Sequence, residues 1–297
     1  MTPREEGFLL LCSELGVPGR RTLTVPQLRT LAKRVKDAPW EALDRELTAR
    51  DLMSLGYGRE IADRILILLE DKPLLEYYCQ RGKKQGCFPL TRVSEAYPAQ
   101  LHRALGDDRP GCLWYKGNLS ILGMEAISVV GSRDLNPENR AFAQEIGRQA
   151  ALQGYVLVSG NARGADQTAQ NACLEAGGKV ISVVADALIE HREQENILYL
   201  SEDNFDASFS AQRALSRNRI IHSLGQMTFV AQCGCESGGT WDGTAKNLRF
   251  GFSPVYCFCD GSPAQQLLAQ MGAGVVERQD LQNLRNLQPN RMSLFDQ

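Results

Sequence analysis

Three short turns in this 297-residue sequence bring glycine and serine together, and two of the turns also contain arginine. Each turn follows an apolar segment and precedes a helical pattern, so its backbone N–H groups and the helix dipole are expected to face one space. Guanidinium groups add paired donors that suit a phosphate. One such turn is more often only a tight connection, but three of them predict a phosphate-binding site. The residues in the three turns are Gly131, Ser132 and Arg133; Ser159, Gly160, Arg163 and Gly164; and Ser237 and Gly238.

A fourth polar segment, Arg217-Asn218-Arg219, stands just before the apolar pair Ile220-Ile221. On a helix, residues that are two positions apart point in different directions. One of the two arginines can therefore meet a phosphate while the other pairs with a structural carboxylate. A solvated helix start is the alternative interpretation of the same residues.

Several catalytic and metal-binding patterns are missing or incomplete. The residues after Gly131 read Ser-Arg-Asp, so neither the dinucleotide fingerprint G-x-G-x-x-G nor a P-loop follows the first apolar strand. The three histidines of the chain suggest no Ser/His/Asp arrangement. Two Cys-x-Cys pairs, which begin at Cys233 and Cys257, are spaced more closely than zinc ligands usually are, and we interpret them as strand cysteines. We predict no catalytic residues, no metal and no cofactor.

The apolar segments around these turns alternate as in an α/β protein. Strands are predicted at 126–131, 155–160, 179–185, 227–232 and 255–259, and helices at 137–152, 164–176 and 240–249. Strands that are apolar throughout belong to a parallel sheet covered on both faces. The predicted fold class is therefore α/β, with a Rossmann-like parallel sheet and helices on both faces. Ligands bind such a sheet at the carboxyl ends of its strands, which is where the three turns stand.

The residues ahead of this pattern are mostly helical. Gly56-Tyr57-Gly58 stands between two apolar helices, which suggests a helix-hairpin-helix or SAM-like unit, although a simple bundle turn is the more common interpretation. The predicted organisation is a helical domain at 1–80, a connector with a lead-in strand at 81–125, a Rossmann-like domain at 126–285 and a flexible tail at 286–297.

Composition limits the surroundings in which the protein works. The net charge is −2 and the pI is about 6.0, so a nucleic-acid site must be a local group of cations rather than a basic shell. No apolar run approaches the roughly 18–20 residues of a membrane span, and the first residues lack the pattern of a signal peptide. Nine cysteines in a chain of this length do not suggest a secreted disulfide framework. The expected location is the cytoplasm, with no membrane partner.

The turn motifs, in their order and approximate spacing, resemble the DNA-processing protein A (DprA/Smf) family. The resemblance covers roughly residues 90–260. It rests on Val129-Val130-Gly131-Ser132-Arg133, Ser159-Gly160-x-Ala162-Arg163-Gly164-x-Asp166, Gly177-Gly178-Lys179, Arg217-Asn218-Arg219-Ile220-Ile221 and Ser237-Gly238. One departure precedes the Arg-Asn-Arg motif, where Ala214-Leu215-Ser216 stands in place of the family's Phe-Pro pair.

The resemblance implies a protein that binds single-stranded DNA and assists DNA uptake and recombination. Members of the family dimerise, protect the strand and load the RecA recombinase, so a homodimer and RecA are implied partners. Asp166 is expected to orient an arginine. By position, the implied DNA contacts are Arg133, Arg163, Lys179, Arg217 and Arg219, and the residues implied to shape the pocket are Ser132, Ser159, Gly160, Gly164 and Ser237.

Two further interpretations follow from weaker matches. The loop from Gly238 to Gly243 loosely resembles that of nucleotide phosphoribohydrolases, which makes a nucleotide-binding sensor or hydrolase on a related fold the alternative function. Such an enzyme needs a catalytic glutamate, and only Glu236 and Asp242 are near. Met292 to Phe295 partly resembles the short peptide by which bacterial proteins dock on the replication sliding clamp, so the clamp is a candidate partner.

Overall fold

The first part of the protein is a group of five helices. The computed structural model describes residues 1–38 and 46–287. The helices are α1 (Pro3–Cys12), α2 (Val25–Lys36), α3 (Ala49–Ser54), α4 (Arg59–Glu70) and α5 (Lys72–Lys84). Helix α1 begins where it does because Thr2 and Glu5 form a capping box: the Thr2 hydroxyl accepts the Glu5 N–H, and the Glu5 carboxylate accepts the Thr2 N–H at 2.7 Å.

The Gly-x-Gly turn joins α3 and α4 as the sequence predicts. Tyr57 in this turn lies beneath the guanidinium of Arg34, whose carbon is 4.3 Å from the ring centre. Leucine and isoleucine side chains on α2 to α4, with Leu28, Leu52 and Ile65 among them, form a separate small core. Residues 39–45 of the predicted helical domain fall outside the described residues.

Nine strands form one sheet. They are β1 (Cys87–Thr91), β2 (Cys112–Gly117), β3 (Ala126–Val130), β4 (Val156–Ser159), β5 (Val180–Val183), β6 (Ile197–Ser201), β7 (Thr228–Val230), β8 (Val255–Phe258) and β9 (Gly274–Val276). The order across the sheet is β1-β2-β6-β5-β4-β3-β7-β8-β9. The strands from β6 to β9 are parallel, whereas β1 and β2 run antiparallel at one edge. The mostly parallel sheet confirms the predicted α/β fold class.

Helices cover both faces of this sheet, which is why the central strands are buried throughout. The remaining helices are α6 (Ala99–Leu105), α7 (Pro137–Leu152), α8 (Ala165–Glu175), α9 (Ala211–Ser216), α10 (Asn218–Leu224), α11 (Gly238–Phe250) and α12 (Pro263–Gln270). On one face, α7 and α8 pack Phe142 and Ala169 against Ile127 of β3. On the other face, α10 and α11 pack against Val130 and Val158. None of the helices in residues 1–38 and 46–287 has the length and apolarity to cross a bilayer.

The segment expected to be a connector contributes β1 and β2 to the sheet. Trp114 of β2 is fully buried, and its ring contacts Tyr78 of α5 at a centroid distance of 5.4 Å and Phe205 at 5.0 Å. This aromatic cluster joins the amino-terminal helices to the sheet edge. The sequence predicts only the strand near 112–115; β1, β6 and β9 are additional.

Candidate functional site

The strand order reverses at β3, where the chain continues to β4 on one side and returns as β7 on the other. A crevice forms at such a point because the connections leave the carboxyl ends of the two strands in opposite directions. A cavity of about 440 Å³ occupies this crevice. Seven of the predicted site residues line it: Gly131, Ser132, Arg133, Arg217, Asn218, Ser237 and Gly238. The structure therefore brings together residues from the first turn, the third turn and the Arg-Asn-Arg motif.

Hydrogen bonds join the three turns to one another. The Ser132 N–H donates to the carbonyl oxygen of Gln232 after β7 at 2.8 Å, and the Ser132 carbonyl accepts from the Ala165 N–H at 3.0 Å. The Thr240 hydroxyl donates to the carbonyl oxygen of Gly131 at 3.0 Å. The walls of the cavity are thus held by hydrogen bonds to main-chain groups of segments that are distant in sequence.

Gly164 allows the second turn to lie directly against the first. Its φ is +91°, and a Cβ at this position would be 2.3 Å from the carbonyl oxygen of Ser132 and 2.5 Å from that of Arg133. Any larger residue would be strained in its backbone and would also collide with backbone atoms that have no room to move. Gly164 is therefore the residue that keeps Arg133 and Arg163 on neighbouring turns.

Arg217 connects the ends of two strands beneath the cavity. Its Nη1 donates to the carbonyl oxygen of Gly160, just after β4, and to that of Val183, the last residue of β5. The side chain is almost entirely buried, and burial lowers its pKa. A Cβ on Gly160 would lie 2.3 to 2.5 Å from the guanidinium, so only glycine leaves space for this contact.

Asp166 supplies the negative charge that faces Arg217. Its Oδ2 accepts the N–H groups of Gly160 at 3.0 Å and of Ala162 at 3.3 Å, so the carboxylate holds the second turn in shape. Burial raises the pKa of Asp166, while the nearby charge of Arg217 and the two N–H donors act in the opposite direction. The expectation from the sequence that Asp166 orients an arginine stays a prediction, because both of these hydrogen bonds come from backbone N–H groups.

Two arginines of the predicted site are exposed. Arg163 forms an ion pair with Asp134 at 3.1 Å, in which the side chains are 73% and 87% exposed. Arg133 is also exposed, and it lines the cavity. Both guanidinium groups are therefore open to a charged ligand, unlike that of Arg217.

Two other predicted contacts lie elsewhere. Lys179 immediately precedes β5 and is thus at the amino ends of the strands, where its Nζ is 3.8 Å from the sulfur of Met124. Arg219 donates to the carbonyl oxygen of Asp108 at 2.9 Å and forms an ion pair with Glu202. The structure thus separates Lys179 from the cavity. Arg219 is the arginine of the motif that pairs with a structural carboxylate, which belongs to Glu202.

The remaining predicted residues support the cavity from outside or at its rim. Ser159 is buried, and its hydroxyl accepts from Gln170 at 2.7 Å. The Asn218 amide donates to the carbonyl oxygen of Gly239 at 3.0 Å, which fixes α10 against the start of α11. Ser237 stands at the N-cap of α11, and Gly238 follows it with a φ of +84°.

Sequence reasoning missed an apolar wall and a buried histidine. Ala211, Ala214 and Leu215 of α9 line the cavity opposite the turns. His222 lies at its base and is fully buried, and burial lowers its pKa to about 4. The Asn247 amide oxygen accepts the Ser253 N–H at 2.9 Å, so its NH₂ group faces Nδ1 of His222 at 3.0 Å. The sequence did contain a signal for the apolar wall, because Ala214 and Leu215 stand just before the Arg-Asn-Arg motif.

The local backbone also marks the site. Among the described residues, three that are not glycine have a positive φ, and two of them, Asn161 and Glu236, stand in the second and third turns. Such conformations cost of order 1–3 kcal/mol and persist where the surrounding structure imposes them. Trp241 of α11 is packed in the core.

The cysteine pairs after β7 and in β8 provide no metal centre in the part of the chain that the structure describes, where no cluster of three potential ligands occurs. Cys257 is a buried strand cysteine, as interpreted from the sequence, whereas Cys235 and Cys259 are exposed.

The chain matches the model of one protein family over a segment that includes all the residues found to line the cavity. The model of the family described as DNA recombination-mediator protein A matches residues 89–278. The chain belongs to this family. Its relatives include DNA processing protein DprA of Streptococcus pneumoniae, 33% identical over 156 residues, which are 49% of this chain and 54% of that protein. Protein Smf of Escherichia coli is 31% identical over 156 residues, 49% of this chain and 41% of that protein. The chain thus spans about half the length of these curated relatives, and the resemblance to the DprA/Smf family is confirmed.

Solved structures of DprA share the fold. The X-ray structure of DprA from Streptococcus pneumoniae has a TM-score of 0.71 at 24% identity and covers 97% of this chain and 99% of that one. A structure that describes the single-stranded-DNA-binding mode of DprA from Helicobacter pylori has a TM-score of 0.55 at 20% identity and covers 66% of this chain and 94% of that one. The amino-terminal helices and the nine-stranded sheet are therefore an arrangement that a DprA protein also has.

Proposed function

We propose that this chain binds single-stranded DNA in the cavity at the carboxyl ends of β3, β4 and β7. The single observation that carries the proposal is the meeting of two glycine-containing turns, the first and the third, with Arg133 and Arg217 around one cavity, to which the segment after β4 adds Ala162 and Asp166. A helix start, here that of α11, and a guanidinium group together form a site for a phosphate.

The charge of the cavity supports an anionic ligand. Asp166 is the one carboxylate among the described residues that line it, and this charge already faces Arg217. Arg133 is then left with a positive charge that a backbone phosphate can satisfy. The whole protein carries a net charge of −2, so attraction of DNA depends on this local group.

The shape of the cavity supports a strand with unpaired bases. A volume of about 440 Å³ lies in the range of small-molecule sites, and the wall formed by Ala211, Ala214 and Leu215 is apolar. A splayed-out base or sugar can pack on this wall while its phosphate meets the turns. A base that is paired in a duplex is not available for such packing, so single strands are preferred.

The test is binding of a labelled oligonucleotide as a function of salt. We expect contacts by about three to five cations, each of which contributes roughly −0.7 to the slope of log K against log salt. A duplex of the same sequence is the matched control and should bind more weakly. A flat salt response, or stronger binding of the duplex, would remove the proposal.

We further propose the biological setting that the family suggests. The protein would act in the cytoplasm as a homodimer, protect single strands during DNA uptake or recombination, and load RecA onto them. Relatives named as DNA processing proteins support this assignment. Light scattering on the purified protein tests the dimer. Formation of RecA filaments on covered single strands, with and without the protein, tests the loading; equal rates would exclude it.

We propose a binding role without catalysis, and the alternative is hydrolysis of a nucleotide. Glu236 and Asp242, the acids nearest the third turn, are both exposed, and neither of them lines the cavity. Asp166 is committed to two N–H groups and is therefore poorly placed as a base. Incubation with nucleoside monophosphates, followed by detection of free base, separates the two functions, because release of a base would favour the enzyme.

The sliding clamp remains a predicted partner. The segment from Met292 to Phe295 lies outside the described residues. Removal of residues 291–297 should abolish clamp binding and leave the affinity for single-stranded DNA unchanged. If the intact protein does not bind purified clamp at tens of micromolar, within the range of weak peptide docking, the idea fails.

A further inference from the structure

A second cavity lies next to the first, and Arg133 is the lining residue that the two have in common among the described residues. It has a volume of about 330 Å³ and is found between the starts of α7 and α8. Arg133 lines both cavities, so a ligand that leaves the first across this side chain enters the second. Arg140 and Arg163 also line the second cavity.

The charges of this second cavity are mainly positive. Three arginines face it, and Asp134 is the one acid among the described residues that line it. Asp134 pairs with Arg163, but both side chains are largely exposed, and ion pairs of this kind contribute only about 0–1 kcal/mol. A phosphate can therefore replace the carboxylate at little cost.

Arg140 has no carboxylate partner within residues 1–38 and 46–287. Its Nη1 is 3.5 Å from the hydroxyl oxygen of Thr168, in the first turn of α8, which leaves its other donors free. Arg140 itself is in the first turn of α7. The two helix starts thus present an arginine, a hydroxyl and the positive ends of their dipoles to the same space.

We propose that this cavity is a second phosphate site, in which Arg140 and Arg163 bind the backbone of the same DNA strand that occupies the first cavity. The inference rests on the proposed function and adds the path of the strand to it. The strand leaves the first cavity across Arg133 and continues over the starts of α7 and α8. The ligand is a phosphodiester of the strand, and Arg140 is a contact that the sequence motifs do not include.

The experiment measures binding of thymidine oligonucleotides of two lengths to wild-type protein and to Arg140→Ala. An oligonucleotide of about two residues fills only the first cavity, whereas one of about twelve can reach both. We expect Arg140→Ala to weaken binding of the long oligonucleotide about 10- to 20-fold, at the lower end of the range of one charge-assisted hydrogen bond because the side chain is exposed, and to reduce the salt slope by roughly 0.7. Binding of the short oligonucleotide should change less than about twofold.

Arg148→Ala is the matched control. Arg148 lies on the same helix about two turns further on, is half exposed and pairs with Glu145 at 2.7 Å, so its removal also deletes one positive charge from α7. It should leave both oligonucleotides unaffected. Asp134→Asn provides a change of opposite sign: it removes the competing carboxylate and should strengthen binding of the long oligonucleotide about two- to fivefold.

The outcomes separate this inference from the proposed function. If wild-type protein binds both oligonucleotides and Arg140→Ala binds them equally well, the second site does not exist while the first remains. An equal loss in Arg140→Ala and Arg148→Ala would show a general effect of charge and would also overturn the second site. If wild-type protein binds neither oligonucleotide, the proposed function fails. Thermal unfolding of each variant confirms that it is folded before binding is compared.

Discussion

The guanidinium of Arg217 donates to the carbonyl oxygen of Gly160, which stands 57 positions earlier in the chain. The same group donates to Val183, so one side chain connects the carboxyl ends of β4 and β5. Asp166 accepts the Gly160 N–H, and the peptide groups of the second turn are therefore held from both sides. Arg217 is part of the framework of the cavity as well as part of its lining.

Replacement of Arg217 by alanine should lower stability as well as DNA binding. The change leaves the carbonyl oxygens of Gly160 and Val183 without their donor and the buried Asp166 without the nearby positive charge. A buried group left without its hydrogen-bond partner typically costs about 1–3 kcal/mol. Urea unfolding measures this loss. The double variant Arg217→Ala/Asp166→Asn should recover part of it, because the uncompensated charge is gone. A single variant as stable as wild type would contradict the structural role.

Replacement of Arg163 by alanine should lower DNA binding and leave stability almost unchanged. Its ion pair with Asp134 is exposed, so the free energy of unfolding should change by less than about 1 kcal/mol. Affinity for a long single strand should fall by about 1–3 kcal/mol, the range of a hydrogen bond to a charged group. Fluorescence anisotropy gives the affinity. Unchanged binding in a folded variant would remove Arg163 from the interface.

Replacement of Gly164 by alanine tests the contact between the first two turns. The new Cβ meets two carbonyl oxygens, and the residue must also accept a φ of +91° and a ψ of −125°, a conformation that side chains other than glycine rarely adopt. Gly154→Ala is the control, because Gly154 has a φ of +79° and no atom within 4 Å of its Cβ position. We expect Gly164→Ala to be more destabilised than Gly154→Ala in urea unfolding and to bind DNA less tightly. Equal losses would mean that the collision does not matter.

Replacement of Lys179 by alanine should leave DNA binding unchanged. Lys179 is at the amino end of β5, whereas the cavity is at the carboxyl ends of the strands. Its loss removes as much charge as the loss of Arg133, so the two variants form a matched pair in a salt titration. If Lys179→Ala lost as much affinity for DNA as Arg133→Ala, the DNA would instead bind at the amino ends of the strands.

His222 should make the protein sensitive to acid. Its pKa is lowered to about 4 in the folded protein, against about 6.5 in an unfolded chain, so the unfolded chain binds more protons between these values. The free energy of unfolding should therefore fall by about 2 kcal/mol from pH 7.5 to pH 5 through this residue alone. Urea unfolding at the two pH values should show a smaller fall in His222→Asn, which keeps an acceptor for Asn247. Equal falls in both proteins would exclude His222 as the cause.

Several elements were predictable because their signals are local. Helix α7 has the predicted bounds, since Pro137 favours a first turn and a helical pattern extends to Leu152. Strand β6 is an apolar run of five residues, as clear as that of β3, and its own residues were sufficient to predict it although the predicted strands omit it. Strand β1 contains Pro89, which is compatible only with an edge, and β9 has three residues. The edges of the sheet depend on pairing partners rather than on their own residues.

The turns of the site were predictable, but the roles of its arginines were not. Glycine, serine and arginine after apolar strands indicate an anion site wherever the strands are parallel. The direction of each guanidinium depends on distant partners: Arg217 turns towards the ends of β4 and β5, and Arg219 turns towards Glu202. No spacing within the Arg-Asn-Arg motif determines which arginine takes which partner.

The pairing of β2 with β6 has a consequence for the preparation of fragments. A fragment that starts at residue 126 lacks β1 and β2, so the hydrogen-bonding edge of β6, whose five residues are all buried, would meet solvent. Exposed apolar edges recruit strands from other molecules and lead to aggregation. Phe205 would also lose the two aromatic rings that it contacts, those of Tyr78 and Trp114. Insoluble expression of such a fragment would therefore reflect the missing edge strands, and fragments intended for crystallisation or binding assays should begin ahead of α5.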